Sequence, residues 1–301
     1  MEVLGRKMKN NGPDFICIGA QKAGTSWLWK MLKSHPEIWV TPKKDIHYFD
    51  RALSYPSPSY LLERPIYERL IGREDWNHHY RVMLRHDFQN VVLRKNLRDF
   101  IWLLKYYFGD FEDDWYISLF KGGGKKLKGE ITPSYSILDV KDVRRVFRLF
   151  PRVQIIFIMR NPIDRAWSQL RFHWTKSAIK SIDDHNELIN FIESPEQQLR
   201  SNYVRTIKIW QSVFPADQLL LCFYDDLVSN QTKYLSNIFN YLKVQDIAHE
   251  LSEIDGKRIN ISQKIDIPVE IYQYLANKYS PEIDKLCEML SRVPEEWRVG
   301  H

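Results

Sequence analysis

"FICIGAQKAGTSWLWKML", residues 15–32, decides how the chain folds. Phe15–Gly19 is a short apolar run ending in glycine, and Thr25–Ser34 then repeats its apolar residues at helical spacing. A buried strand turning through a tight loop into a helix is the setting of a phosphate loop, whose Walker A form reads G-x-x-x-x-G-K-[ST]. Gly19 and Gly24 hold the two glycine positions. The lysine is displaced: Thr25 follows the second glycine, and Lys22 stands two residues before it. Backbone N–H groups at a helix start, aided by the helix dipole, form an anion site to which Lys22, Thr25 and Ser26 add donors.

Outward from this loop, three further runs read as buried parallel strands: Lys128–Ile131, Val153–Met159 and Gln218–Tyr224. Helical patterns at Val140–Phe150, Pro162–Trp174 and Tyr203–Val213 alternate with them. The expected class is α/β, a parallel central sheet flanked by helices, with a P-loop-like strand–loop–helix and a helical insertion. We read 1–301 as a single domain. Within it, 51–120 breaks the alternation and is crowded with Tyr, Trp, Arg and His, as in "WNHHYRVMLRHDF" (76–88) and "FIWLLKYYFGDFEDDWY" (100–116). It reads as an inserted helical subdomain packing its aromatics into its own core, as a cap lining an acceptor site, or as both. "KGGGKK" (121–126) reads as a flexible surface loop.

Composition narrows the function. The net charge of +6 is modest and spread along the chain, which suits an anionic ligand but falls short of a nucleic-acid-binding domain. Cys17, Cys222 and Cys287 show neither a disulfide framework nor metal-ligand spacing, so no metal and a cytoplasmic location are expected. No apolar run is long enough to cross a bilayer. Oligomeric state is not legible.

A second motif lies in "VQIIFIMRNPIDRAWSQLRFH" (153–173). A buried strand delivers Arg160 at its carboxyl end, where open α/β sheets bind ligands. Asn161 can cap the next helix, Pro162 fits its first position, and Ser168 lies about two turns along. A guanidinium fork and a hydroxyl suit a phosphate monoester.

A third segment, "KKDIHYFD" (43–50), carries Asp45 and His47. The helix from Gly24 to His35 carries the chain ~18 Å from the loop. Pro36 stops it, and an extended return through Glu37–Lys43 covers roughly 23 Å, bringing these residues to the mouth of the site.

At these motifs the sequence resembles sulfotransferases that use 3′-phosphoadenosine 5′-phosphosulfate, closest in look to the glycan-modifying and bacterial branch. The family's Q-K-x-G-T-[ST] is matched by Gln21, Lys22, Gly24, Thr25 and Ser26, and its R-[ND]-P-x-[DE]-R-x-x-S by Arg160, Asn161, Pro162, Asp164, Arg165 and Ser168. "GEITPSY" (129–135) and "YVRTIKIWQSVFPADQLLLCFYDDL" (203–227) extend the likeness. The resemblance implies that Gln21–Ser26, Ala23 included, cradles the 5′-phosphate, and that Lys22 stabilises the oxygen bridging phosphorus and sulfur. It implies that Arg160 and Ser168 hold the 3′-phosphate, and that the product is 3′,5′-ADP. Trp27 stands where part of the family stacks adenine; a core position on the helix fits it equally. Tyr203, Lys257 and Arg258 are further nucleotide candidates.

In that branch a glutamate usually stands where this chain has Asp45. Asp45 is therefore the first candidate for the base that takes the acceptor proton, with His47 next and His78, His79 and His86 behind. Lys44 is expected near the sulfuryl group, and Glu130 near Lys22 or the acceptor, with His78 and His79 on the acceptor side. The expected acceptor is a hydroxyl of a glycan or glycolipid, with no nucleic-acid partner. Two other readings stand beside this one: a P-loop kinase using ATP and magnesium, with Asp225 or Asp226 as metal holder, and a non-catalytic module binding anionic polymers.

Overall fold

The computed structural model of the chain describes residues 12–56, 64–176, 179, 181, 184–254 and 266–298. Strands β1 (Phe15–Gly19), β2 (Ile38–Val40), β3 (Leu127–Ile131), β4 (Gln154–Met159) and β5 (Leu219–Phe223) form one sheet. Its order is β2-β3-β1-β4-β5, and every neighbouring pair is parallel. Parallel strands need crossovers, and the helices supply them. Helix α1 (Thr25–Ser34) joins β1 to β2. Helices α2 (Ile66–Ile71), α3 (Asp75–Leu93), α4 (Leu97–Phe108) and α5 (Asp113–Ser118) lie between β2 and β3. α6 (Val140–Leu149) leads to β4, and α7 (Pro162–Thr175), α8 (His185–Glu193), α9 (Pro195–Ser201) and α10 (Tyr203–Gln211) lead to β5. α11 (Tyr224–Ser229), α12 (Gln231–Leu242), α13 (Ala248–Ile254) and α14 (Val269–Met289) follow.

Phe15, Ile16, Cys17 and Ile18 are fully buried because helices cover both faces of β1. Each large apolar side chain so buried contributes about 1.5–3 kcal/mol. β3 carries a weaker apolar signal for a packing reason: a Cβ on Gly129 would lie 2.2 Å from the Phe15 ring, its registered neighbour. Connections leaving the central β1 run first toward β2 and later, after β3, toward β4. The carboxyl ends of β1 and β4 therefore meet where such sheets bind ligands.

The predicted strands and helices appear within a residue or two of their expected ends. β2 was legible only as an extended return, because three residues paired with β3 alone give little pattern. The 121–126 stretch is not simply a loose loop: Lys121–Gly123 forms a 3₁₀ turn with Gly123 buried beside Trp39 and Lys128. The aromatics of α3–α5 do not pack a core of their own. Tyr80, Trp102, Tyr106, Tyr107, Trp115 and Tyr116 join Tyr48, Phe49 and the sheet in one cluster. A second cluster sets Ile163, Trp167 and Leu170 of α7 against α8 and α14, which fixes the helix carrying Ser168.

Candidate active site

Gly24 caps α1 with φ 85°, and a Cβ there would sit 2.9 Å from Leu227 and 3.2 Å from Tyr224. Both the left-handed backbone and the close approach call for glycine. No side chain caps α1 and no acidic residue occupies its first turn, so its N-terminal donors keep their pull on anions. Ala23 is buried beneath the loop. Lys22 is also left-handed, at φ 67°, and its Nζ lies 4.4 Å above the Phe172 ring. Burial, followed by repulsion from Arg160, Lys44 and Arg171, pulls the Lys22 ammonium down to about 8.

Arg160 leaves β4 beside this loop. Its Nη1 donates to the Lys22 carbonyl at 3.1 Å, and its guanidinium lies 4.7 Å from the Tyr224 ring centre. Its Nε is buried with no hydrogen-bond partner among the described residues. The Asn161 side chain accepts from Ile163 N, Pro162 opens α7, and Ser168 is nearly buried two turns on. Arg165, from the same motif, points elsewhere and ties α7 to α9 through Ser201 and Gln197.

The return segment arrives as the geometry requires. Lys44 Nζ stands 3.3 Å from both Thr25 Oγ1 and Ser26 Oγ, and 3.6 Å from Asp45. Asp45, 41% exposed, and His47 are both left-handed, at φ 61° and 57°. His47 Nδ1 lies 2.7 Å from Oδ2 of the fully buried Asp50, and Ser134 Oγ bonds to both. Burial opposes charge on His47, but the neighbouring Asp50 outweighs it and raises the imidazole above its ordinary value. Burial likewise opposes charge on Asp50, and His47 with Ser134 holds that carboxyl below the usual range. This is a histidine fixed in one orientation by a carboxylate, the arrangement that prepares imidazoles for proton transfer.

Several expected contacts fall outside the cleft. Glu130 does not reach Lys22: its carboxylate accepts from the Tyr116 and Thr132 hydroxyls in the core. It works one layer behind, since Thr132 Oγ1 accepts from Ile46 N and Tyr135 OH accepts from Tyr48 N. Tyr203 is buried against Phe157 and donates to the Arg160 carbonyl at 2.9 Å, so it holds the backbone rather than facing the cleft. His78 and His79 are exposed on α3 and line no part of the cleft, nor does any described residue of 64–120. His79 still feels His47: burial, then Lys43, His78 and His47, lower its imidazole. His86 is exposed beside Asp87. Lys257 and Arg258 lie outside the described residues. Trp27 packs in the core, 6.2 Å from Tyr234, and also lines the cleft.

These elements enclose a cleft of about 980 Å³. Lys22, Lys44, Arg160, Arg171 and Arg200 line it, against Asp45 and Glu196, so its field favours an anionic ligand. Asp225 and Asp226 are turned away. Asp225 accepts from the Trp297 indole, and Asp226 forms a bidentate pair with Arg292. Asp50 and Ser134 were not read from the sequence. The H-x-x-D spacing of His47 and Asp50 was the available signal, whereas Ser134 is brought in only by the fold.

The profile of the sulfotransferase family matches residues 13–248. A membrane-associated sulfotransferase, kil1 of Dictyostelium discoideum, is 21% identical over 365 aligned positions, covering 93% of this chain. The chain spans 65% of that relative's own length. A sulfotransferase of Alicyclobacillus acidocaldarius superposes with TM-score 0.63 at 20% identity, over 95% of this chain and 98% of the other. The sulfotransferase domain of the Synechococcus PCC 7002 olefin synthase superposes with TM-score 0.53 at 18% identity, over 92% and 98%.

Proposed function

The chain belongs to the sulfotransferase family, and from that premise we propose that it moves a sulfuryl group from 3′-phosphoadenosine 5′-phosphosulfate to an acceptor hydroxyl. The observation that carries this is the joining of two anion sites: Arg160 Nη1 bonds to the carbonyl of Lys22, while Arg160 Nε stays buried without a described partner. A buried guanidinium donor left over is an acceptor-shaped demand, and a 3′-phosphate meets it. The uncapped start of α1 with Thr25 and Ser26 fits the 5′-phosphate.

The bound donor supplies the activated sulfuryl group; the chain supplies position and charge. Lys22 steadies the negative charge that develops on the bridging oxygen as the old S–O bond breaks. Lys44, within reach of Thr25 and Ser26, adds a second cation on that side. His47 takes the acceptor's proton as the new O–S bond forms, oriented by Asp50 and Ser134. Its fixed ring supports this role over Asp45, whose carboxylate is more exposed and lies near Lys44. Arg171, Phe172, His173 and Arg200 remain for the acceptor, a set suited to a glycan or glycolipid hydroxyl near acidic groups.

A P-loop kinase fits less well, since Thr25 replaces the phosphate lysine and Asp225 and Asp226 are engaged elsewhere. Calorimetric titration without metal tests the reading. 3′,5′-ADP should bind the wild type far more tightly than 5′-ADP, and Arg160→Ala should erase the difference. Equal affinity for both nucleotides in the wild type would overturn the donor assignment.

A further inference from the structure

The outer face of α3 and α4 departs from the usual pattern of a polar solvent side. Helix α4 is apolar on two sides. Trp102, Leu103, Tyr106 and Tyr107 enter the core, while Leu97, Ile101, Leu104 and Phe108 recur at helical spacing on the opposite side and stay exposed. The last turn of α3 bares Val92 and Leu93, and Leu93 is 79% exposed. On α3, Leu84, Phe88 and Val92 wall a groove of about 470 Å³ with Leu70. The Phe88 and Phe108 rings, 6.4 Å apart, join that groove to the α4 stripe.

The accessible charge around this face is positive. Arg85, Arg94, Lys95, Arg98 and Lys105 are exposed. Of the nearby carboxylates, Asp99 is partly buried, Asp87 is held by Lys43 and Tyr107, and the exposed Asp110 follows Phe108 at the end of the stripe away from Leu93 and Leu97. No helix among the described residues is long and apolar enough to cross a membrane.

We infer that this face docks on an anionic lipid surface, with Leu93 and Leu97 below headgroup level and Arg94, Lys95 and Arg98 at the phosphates. Exposed leucines flanked by arginine and lysine are the combination that holds helices in a bilayer interface. A second copy of the chain suits the face less well. A two-fold pairing through it would set the same cations against themselves, a repulsion that anionic headgroups replace by attraction. The lipid-facing side chains are exposed, so docking asks for no change in the core.

Flotation of the full chain with vesicles of phosphatidylcholine, alone or with phosphatidylserine, tests this. The chain should float with the mixed vesicles at low salt and be released at high salt. Arg94→Gln and Arg98→Gln should each weaken partitioning roughly fivefold. The double variant Leu93→Asp/Leu97→Asp should abolish it at an unchanged melting temperature. Failure to bind mixed vesicles at low salt, or binding indifferent to the double variant, overturns the inference. So does a dimer in sedimentation velocity that Leu97→Asp dissociates without any flotation, which would assign the face to a second copy.

Discussion

Replacing Asp50 by Asn removes one charge from the site and keeps its shape. Asp50 is fully buried, 2.7 Å from His47 Nδ1. Burial pushes its carboxyl up, and His47 and Ser134 more than offset that, so its pKa lies below the ordinary value of 3.8. For His47, burial acts downward and Asp50 lifts the imidazole above 6.5. The signs of the two linkages differ. The depressed Asp50 contributes stability that is present above its unfolded pKa and lost as pH falls through the folded one. The raised His47 contributes stability that is full below 6.5 and lost as pH rises through its folded value. The pair therefore stabilises most in the window between the two.

Removing one partner of a buried pair costs about 3–5 kcal/mol. Asn keeps a hydrogen bond, so Asp50→Asn should fall near the lower end at neutral pH, read by urea unfolding. The catalytic loss should be larger. An Asn amide can donate to Nδ1, which puts the ring proton on Nε2 and leaves no site for the acceptor's proton. The tautomer effect in serine-protease triads is on the order of 10⁴-fold, and a fall of similar order in kcat/KM is expected. The acid limb of the residual activity should move to lower pH, since burial and Arg200 then act downward on His47 with Asp45 as the remaining upward influence. A sulfate-transfer assay across the titration range of histidine reads both. If Asp50→Asn keeps its rate and its acid limb, and His47→Gln is also active, His47 is not the base, and Asp45 takes its place.

Lys22→Met should lower kcat by about 100- to 1000-fold, the loss typical of a preorganised transition-state donor, with a smaller effect on 3′,5′-ADP affinity by calorimetry. In the wild type, activity should also decline as pH passes about 8, where Lys22 loses its proton. Gly24→Ala should cost about 1–3 kcal/mol in thermal unfolding and weaken nucleotide binding, because φ 85° and the Leu227 contact both resist a Cβ. Burial raises Glu130 to about 7, so the folded chain holds a proton there that the unfolded chain releases near 4.5. Wild-type stability should fall between these pH values by about 3 kcal/mol from this group alone, and Glu130→Gln should lose that dependence in parallel denaturation series.

The sequence was most legible where one pattern had one physical cause. The central strands β1 and β4, buried on both faces, show as unbroken apolar runs, and Asn161-Pro162 announces a helix start. The loop from Gly19 to Thr25 was readable for the same reason, since a tight strand-to-helix turn constrains consecutive residues. What stayed hidden depends on residues distant in sequence. Ser134 reaches His47 only because β3 ends beside the return segment. Glu130 seemed a cleft residue from its place at the strand end, but its side chain falls on the core side with Tyr116. The aromatics of α3–α5 gave no sign that they would merge with the sheet's core rather than form their own.

Among the described residues, six that are not glycine adopt positive φ, and three of them are Lys22, Asp45 and His47. Left-handed backbone costs a side-chain-bearing residue roughly 1–2 kcal/mol, less for Asp and His than for Lys. Selection for thermal resistance alone would therefore favour glycine at these three positions beside the cleft. A hardier version of this chain has to find its added stability outside these turns, in the helices and the sheet that hold them.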